Sequence, residues 1–318
     1  MQRLGMTVPM DGAPLSEQVR VAGELADAGY TDVWSSEGPG ADAFTPLALA
    51  STAPSLRLGT AIIPVFTRGP ATLAQSAATL AAAAPGRVVL GLGASSKVMT
   101  EAWNDREFDQ PYYRVRDTVR FLRQALTGEK IDQEYDTFSV KGFRLGVVPP
   151  VQPRIMVAAL REQMLKMAGR ESDGAILNWL SASDVAKVAR YVHEGGPGKE
   201  IICRIMVVPS TDTAAVRTMA RRMIAGYLTV PVYAEFHKWL GRSEALAEMW
   251  QYWHAGDRKR ATDAIPDSVV DELIVHGSPE ECSQHIARYR ANGVTTPVIS
   301  FLPFDGDSMD AMRALGGS

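Results

Sequence analysis

The residues best suited to chemistry follow short apolar runs. The segment VVLGLGASSKV, residues 88–98, passes from apolar residues through Gly91 and Gly93 into two serines. It falls one residue short of the dinucleotide fingerprint G-x-G-x-x-G, because Ser96 stands at the third glycine position. That fingerprint normally opens the first βα turn and leads directly into a helix, whereas helical signals here resume only around Pro111. We therefore expect a pocket wall and not a nicotinamide site.

Other predicted strands also end in small or polar residues. WSSE ends in Glu37, GTAIIP contains Ala61, and ILNW contains Asn178. VAALREQM leads from a strand directly into a helix, where free backbone amides beside Arg161 suit an anion such as phosphate. These residues include no nucleophile–base pair and no pair of carboxylates. A site so poor in acid–base groups suggests that a cofactor supplies the chemistry.

Metal and disulfide chemistry are not indicated. The two cysteines form no C-x-x-C motif, and the five histidines form no H-E-x-x-H motif. We therefore expect no metal site. His276 deserves notice because LIVHG places it at a strand end, but we favour a structural role for it.

The elements that position these residues alternate between strand and helix. The strands are continuous apolar runs, typical of a parallel sheet buried on both faces. Alternation recurs at least six times before residue 209, and TPVISFLP adds a last strand after a helix over 279–291. Eight strands in 318 residues predict an α/β fold, a (β/α)8 TIM barrel, with a doubly wound sheet as the alternative. Residues 211–270 are helix-prone and rich in aromatic residues, which predicts a helical insertion within a single domain, 1–318.

Composition excludes several classes of partner. The net charge is -3 and the pI is about 6.0, which argues against nucleic-acid binding. No basic run suits an anionic membrane, and no apolar run approaches the ~20 residues of a membrane span. We see no signal peptide and expect a reducing cytoplasm.

In series, several stretches resemble the bacterial luciferase-like superfamily, and more narrowly its coenzyme F420-dependent oxidoreductases. The likeness lies in AGYTDVWSSE, RLGTAIIPVFTRGPATLAQSAATL, GRVVLGLGASS, VAALREQMLKMAGRESDGAILNWL and HGSPEECSQHIARYRANGV. These stretches fall in family order over about residues 2–301, whereas the insertion carries little of the likeness.

The resemblance implies a TIM barrel that holds a deazaflavin or flavin at its C-terminal mouth. It also implies a non-proline cis peptide behind the cofactor ring, here Ala61–Ile62. The cofactor-binding residues that it implies are Thr60, Ala61, Ile62, Gly93, Ala94, Ser95, Ser96, Val98, Arg116, Ala159, Leu160, Arg161, Glu162, Gln163, Met164 and Asn178.

Two departures from the family pattern affect these expectations. Related members have a Gly-Pro-Lys-like turn at the phosphate, where this chain has Arg161 followed by Glu162 and Gln163. The sugar-phosphate dehydrogenase branch has an acid followed by a histidine, where this chain has Glu37 followed by Gly38. Glu37 is then the remaining candidate for proton transfer, and its alternative role is a structural hydrogen bond to Ser95 or to a backbone amide.

Three functions remain open from the sequence. The first is hydride transfer between coenzyme F420 and a small, fairly apolar substrate with a C=C, C=N or C=O bond, or an alcohol. The second is an FMN-dependent, two-component monooxygenase on the same barrel. The third is a barrel that binds a ligand without catalysis. By analogy with relatives we expect a homodimer.

Overall fold

The structure is a computed structural model that describes residues 2–316. Its strands are β1 (Gly5–Thr7), β2 (Asp32–Ser35), β3 (Arg57–Thr60), β4 (Ile63–Pro64), β5 (Val88–Gly93), β6 (Ile131–Glu134), β7 (Ser139–Phe143), β8 (Arg154–Ala158), β9 (Gly174–Asn178), β10 (Glu200–Val208), β11 (Ile274–His276) and β12 (Thr296–Phe301). Its α-helices are α1 (Gln18–Asp27), α2 (Phe44–Ala50), α3 (Pro70–Ala83), α4 (Pro111–Ala125), α5 (Glu162–Glu171), α6 (Asp184–His193), α7 (Thr213–Leu228), α8 (Pro231–Leu240), α9 (Ala247–His254), α10 (Arg258–Asp263), α11 (Asp267–Leu273), α12 (Pro279–Ala291) and α13 (Ser308–Gly316).

Eight parallel strands close into a barrel. They pair in the order β1, β2, β3, β5, β8, β9, β10 and β12, and β12 pairs back with β1. This confirms the predicted (β/α)8 barrel and excludes the doubly wound sheet. β4 continues the line of β3 beside β5, β11 pairs with the end of β10, and β6 and β7 form a separate antiparallel hairpin.

Helices α7 to α11 lie between β10 and β11, where the sequence predicted helices. Their apolar residues form a second buried cluster with the barrel rim, in which Ile224, Leu228 and Met249 pack with Trp179 and Met206. Within residues 2–316, no helix is both long enough and apolar enough to cross a membrane.

A buried ionic network fills the N-terminal end of the barrel interior. Arg57 donates to the carboxylate of Glu200 at 3.0 and 2.7 Å and also bonds Asp32 and Thr296. These four residues are the first residues of their strands, so the network lies at the end opposite the mouth. Polar groups at this depth stabilise the fold only when they are fully paired, as they are here.

Trp34 closes the interior above this network. Its side chain is buried, and a Cβ added to Gly59 would lie 2.2 Å from its ring. The ring packs with Val89, Met156, Ile176, Ile202 and Val298. Any binding site inside the barrel therefore lies above Trp34, at the C-terminal ends of the strands.

Candidate active site

A bulge interrupts the third barrel strand at the mouth. Gly59 in β3 pairs with Val89 in β5, and Ile63 in β4 pairs with Leu92 in the same strand. The chain advances four residues while β5 advances three, so the strand accommodates one extra residue. The Ala61–Ile62 peptide bond within this bulge is cis. The cis peptide implied by the resemblance is therefore confirmed.

The bulge is hydrogen-bonded to β2 and its extension. The Ala61 amide donates to the Ser35 carbonyl at 2.6 Å, and the Glu37 amide donates to the Ile62 carbonyl at 3.1 Å. The side chains of Ala61 and Ile62 are partly exposed and pack against the cluster around Trp34. The bulge thus lies at the mouth of the barrel, beside the cluster that contains the tryptophan.

The packing around Gly91 leaves no room for a side chain. A Cβ at this position would lie 1.9 Å from the Thr60 carbonyl oxygen and 2.4 Å from Ile176 Cδ1. The Thr60 hydroxyl accepts from the Gly91 amide at 2.8 Å and donates to its carbonyl at 2.9 Å. Thr60, predicted to bind the cofactor, therefore joins the bulge to β5 through its side chain.

Gly93 lies against the bulge at the end of β5. A Cβ there would lie 3.0 Å from Ile62 Cδ1 and 3.1 Å from the Ala158 Cβ. Ala158 ends β8 and is partly exposed. Gly93, Ile62 and Ala158 therefore form a continuous surface, on which any side chain at Gly93 would protrude.

The loop after Gly93 differs from the sequence expectation. Ser95 has a positive φ of 61°, and the Ser96 hydroxyl accepts from the Met99 amide at 3.2 Å. A π-helical turn spans Val98–Ala102, so the expectation that helical structure resumes only near Pro111 is wrong. Ala94 is partly exposed beside this turn, whereas the Val98 side chain is 58% exposed.

The segment that follows β8 has the features of an anion site. The Ala159 amide donates to the Ile176 carbonyl, and Leu160 is partly exposed. α5 then begins at Glu162, with Arg161 as its N-cap residue and no side chain bonded to the cap. The backbone N–H groups of its first turn are therefore not bonded by a capping side chain, as an anion site requires.

The side chains at the start of α5 also affect how an anion could bind there. Arg161 and Gln163 are exposed, whereas Met164 is partly exposed. Glu162 forms an ion pair with Lys166 at 2.8 Å, so part of its negative charge is offset by a cation one turn further on.

Glu37 is engaged by an arginine. Arg68 Nε and Nη2 donate to its two oxygens at 3.1 and 3.3 Å, and the Ala43 amide donates to Oε2 at 3.2 Å. The predicted bond to a backbone amide is therefore present. Within residues 2–316, the Ser95 hydroxyl donates to the Met99 sulfur and forms no hydrogen bond with Glu37.

Two other residues singled out in the sequence are engaged elsewhere. Arg116 Nη2 donates to Asp117 at 2.6 Å and also pairs with Asp136 in the hairpin turn. His276 Nε2 lies 3.1 Å from the carboxylate of Asp271. Neither residue contributes to the wall formed by the bulge and Gly93.

The opposite wall contains a residue that sequence analysis missed. Arg204 in β10 donates from Nη2 to the Ser300 hydroxyl at 2.8 Å. Its Cα is in register with that of Asn178 in β9, whose amide nitrogen lies 3.4 Å from the Tyr233 hydroxyl. The available signal was the single charge inside the apolar run IICRIMVVP, since a charge in a strand buried on both faces must point into the barrel or find a partner.

The sequence matches the model of the luciferase-like monooxygenase family over residues 2–296. The chain therefore belongs to that family. It is 26% identical to a Mycobacterium tuberculosis protein assigned by name to the coenzyme F420-dependent oxidoreductases, over 94% of each chain.

Two further similarities concern reductases. The chain is 24% identical to the 5,10-methylenetetrahydromethanopterin reductase of Methanolobus tindarius, over 98% of each chain. Among solved structures, it resembles the coenzyme F420-dependent tetrahydromethanopterin reductase of Methanopyrus kandleri. That similarity has a TM-score of 0.81 and 18% identity, and covers 99% of this chain and 97% of the other. The structural similarity supports the barrel fold.

Proposed function

We propose that this chain transfers a hydride between coenzyme F420 and a small organic substrate at the barrel mouth. The substrate offers a C=C, C=N or C=O bond, or an alcohol in the reverse direction. The proposal depends on one observation, the surface formed by the Ala61–Ile62 bulge and Gly93. A planar ring can stack on this surface because Gly93 has no side chain and Ala61 has only a methyl group.

The residues present fit a deazaflavin. A Cβ at Gly93 would meet Ile62 and Ala158 at close to 3 Å, so a side chain there would crowd the surface that the ring needs. At the other end, the uncapped start of α5 and Arg161 suit the cofactor's phosphate. Coenzyme F420, when bound, supplies the hydride chemistry.

The protein contributes position and shielding from water. Trp34 closes the barrel beneath the site, so a bound ring cannot sink deeper. Helices α7 to α11 pack beside the mouth and bring Tyr227 and Tyr233 toward β9 and β10. Holding both reactants in one orientation away from water is the main contribution expected of such a site. Glu37 was the candidate for proton transfer in the sequence, but its contacts with Arg68 and the Ala43 amide favour a positioning role.

The names of the relatives support the choice of cofactor. F420 appears in the names of the Mycobacterium protein and of the Methanopyrus structure. The alternative, an FMN-dependent monooxygenase, is supported by the description of the family itself. The two alternatives differ in the cofactor retained and in the need for oxygen.

The decisive experiment is titration with F420 and, separately, FMN, with ring absorbance as the readout. We expect F420 to bind with a Kd below ~100 μM, equivalent to about 5.5 kcal/mol, and FMN to bind more weakly. Gly93→Val should abolish binding, because its side chain would occupy the surface. Gly23→Val is the control, since nothing lies within 4 Å of a Cβ there.

Three outcomes would contradict the proposal. Absence of F420 binding would exclude this cofactor. Oxygen-dependent turnover with reduced FMN would favour the monooxygenase. Tight binding of reduced F420 that no acceptor can oxidise would favour a binding protein. The homodimer and the cytoplasmic location stay predictions, testable by light scattering and by cell fractionation.

A further inference from the structure

Arg204 is a largely buried cation that forms no ion pair with any of the residues 2–316. Ile202 belongs to the interior cluster, so Arg204, two residues further along β10, faces the same interior. Its Nε atom is buried and has no hydrogen-bond partner within residues 2–316, and no Asp or Glu of that range forms an ion pair with it. Burial lowers the pKa of its guanidinium. Buried arginines are normally paired, because desolvating an unpaired charge is costly.

Asn178 presents a second unsatisfied group beside it. Its Cα is in register with that of Arg204 on the neighbouring strand, and its buried Oδ1 atom has no hydrogen-bond partner in the part of the chain that the structure describes. The two groups do not bond each other. Turning the amide by 180° would let Tyr233 donate to the oxygen and leave the amide NH2 as a second free donor.

Aromatic rings lie next to these polar groups. Trp179 follows Asn178 directly, and its ring centroid is 4.6 Å from that of Tyr227. Tyr233 meets Tyr227 edge to face at 6.0 Å. Tyr227 is 39% exposed, so this aromatic surface is open to solvent or ligand. Such surfaces bind flat apolar groups.

Arg204 lies across the barrel from the proposed ring surface. Ala61 follows the third strand of the closed order and Arg204 is in the seventh, so the same number of strands separates them in either direction. A ring stacked on the bulge therefore leaves Arg204 on the facing wall. A substrate lying between the two can contact both.

We propose that Arg204 binds the carboxylate of a substrate whose remaining body is flat and apolar, an assignment that rests on the proposed hydride transfer. The guanidinium offers Nε and an adjacent NH2 as a fork, which matches the two oxygens of a carboxylate. Asn178 supplies a further donor, and the aromatic surface contacts the apolar body. A single guanidinium suits a monoanion better than a phosphate dianion.

The test uses benzoate as probe, benzamide as its neutral analogue and phenyl phosphate as the dianion, with the full chain, both alone and loaded with F420. Binding is measured by calorimetry and by tryptophan fluorescence. We expect benzoate to bind at least about tenfold more tightly than benzamide, also with F420 present. Arg204→Met should remove this preference while leaving benzamide unchanged, and Arg204→Lys should restore part of it. Arg222→Met, at an exposed arginine of α7, is the matched control.

Several results would overturn the assignment. These are equal binding of benzoate and benzamide to the native chain, no binding at about 10 mM benzoate, or tighter binding of phenyl phosphate. Competition between benzoate and F420 would place Arg204 under the cofactor instead. These measurements on the native chain test the assignment of Arg204 even if the variant Arg204→Met fails to fold. Normal F420 binding with no benzoate preference would remove only this inference, whereas an Arg204-dependent preference without F420 binding would remove only the proposed function.

Discussion

Arg68 holds both carboxylate oxygens of Glu37, at 3.1 Å from Nε and 3.3 Å from Nη2. The pair joins the loop after β2 to the loop after β4, on either side of the cis peptide. Glu37 also accepts from the Ala43 amide at the start of α2. A carboxylate held in this way fixes the position of the bulge, and it can move a proton only after a donor releases it.

Replacing Glu37 distinguishes positioning from proton transfer. We expect Glu37→Gln to lower kcat by less than about tenfold, since loss of a proton-transfer group costs about 10²–10⁴-fold. Arg68→Gln should cost about as much, and the double variant little more than either single, because both remove one interaction. The measurement is steady-state kinetics over pH. A hundredfold loss in Glu37→Gln alone, with one limb of the pH profile missing, would instead identify Glu37 as the proton-transfer group.

The two glycines of the GLG motif should respond differently to alanine. Gly91→Ala places a methyl group against the Thr60 backbone, so we expect a loss of about 3 kcal/mol or more in the free energy of unfolding. Gly93→Ala should unfold close to the native midpoint but bind F420 more weakly. Gly40→Ala, where nothing lies within 4 Å of the new methyl, is the control. Denaturant unfolding and F420 titration measure the two effects, and equal destabilisation at both glycines would contradict the assignment.

Glu162 should oppose cofactor binding. Its charge lies at the start of α5, where the proposal places a phosphate, and Glu162→Gln leaves Lys166 paired with Glu194 alone. We expect F420 to bind about two- to fivefold more tightly to Glu162→Gln at low salt, with the gain lost at about 0.5 M salt. Glu129→Gln, at an exposed position before β6, is the control. A Kd unchanged by Glu162→Gln would argue against a phosphate at this helix.

His237 should make the fold sensitive to acid. It is buried in α8, its Nε2 atom bonds the Trp179 carbonyl, and burial followed by the nearby charge of Arg242 lowers its pKa to about 4. The unfolded chain, with a histidine pKa of about 6.5, binds a proton that the folded chain does not, so stability is full above about pH 6.5 and falls toward pH 4. We expect a loss of about 2 kcal/mol between about pH 7.5 and pH 5 from this residue.

The variant His237→Gln tests this loss. Its amide can still donate to the Trp179 carbonyl but does not titrate, so the free energy of unfolding should depend less on pH. Some dependence should persist, because the pKa of His285 is also lowered to about 4 by burial. His193→Gln, at an exposed position, should change nothing. An unchanged pH dependence in His237→Gln would show that another group is responsible.

The barrel was predictable because its signal is local and repeated. Each buried strand is a continuous apolar run, and each is followed by a helix whose bounds the apolar spacing approximates; the helix from Pro279 to Ala291 was predicted at its observed limits. The Ala61–Ile62 bulge was also anticipated, but only through the resemblance, since no local pattern announces a cis peptide.

Pairings between distant elements were not predictable. Arg116 looked available for a phosphate, yet Asp136, 20 residues later, turns back in the hairpin and pairs with it. Glu37 looked free until the chain brought Arg68 beside it. Conversely, Arg204 was missed, and only the closed barrel shows that it faces the interior with no carboxylate partner among residues 2–316.

The sequence by itself determined the order of strands and helices, the barrel and the glycine-lined end of β5, because burial on both faces and backbone clearance depend on residue type and short spacing. Tertiary structure alone decided which charges neutralise one another and which stay unpaired at the mouth. Ion pairing acts over a few ångströms in space, and for residues on different elements the sequence distance does not give that separation.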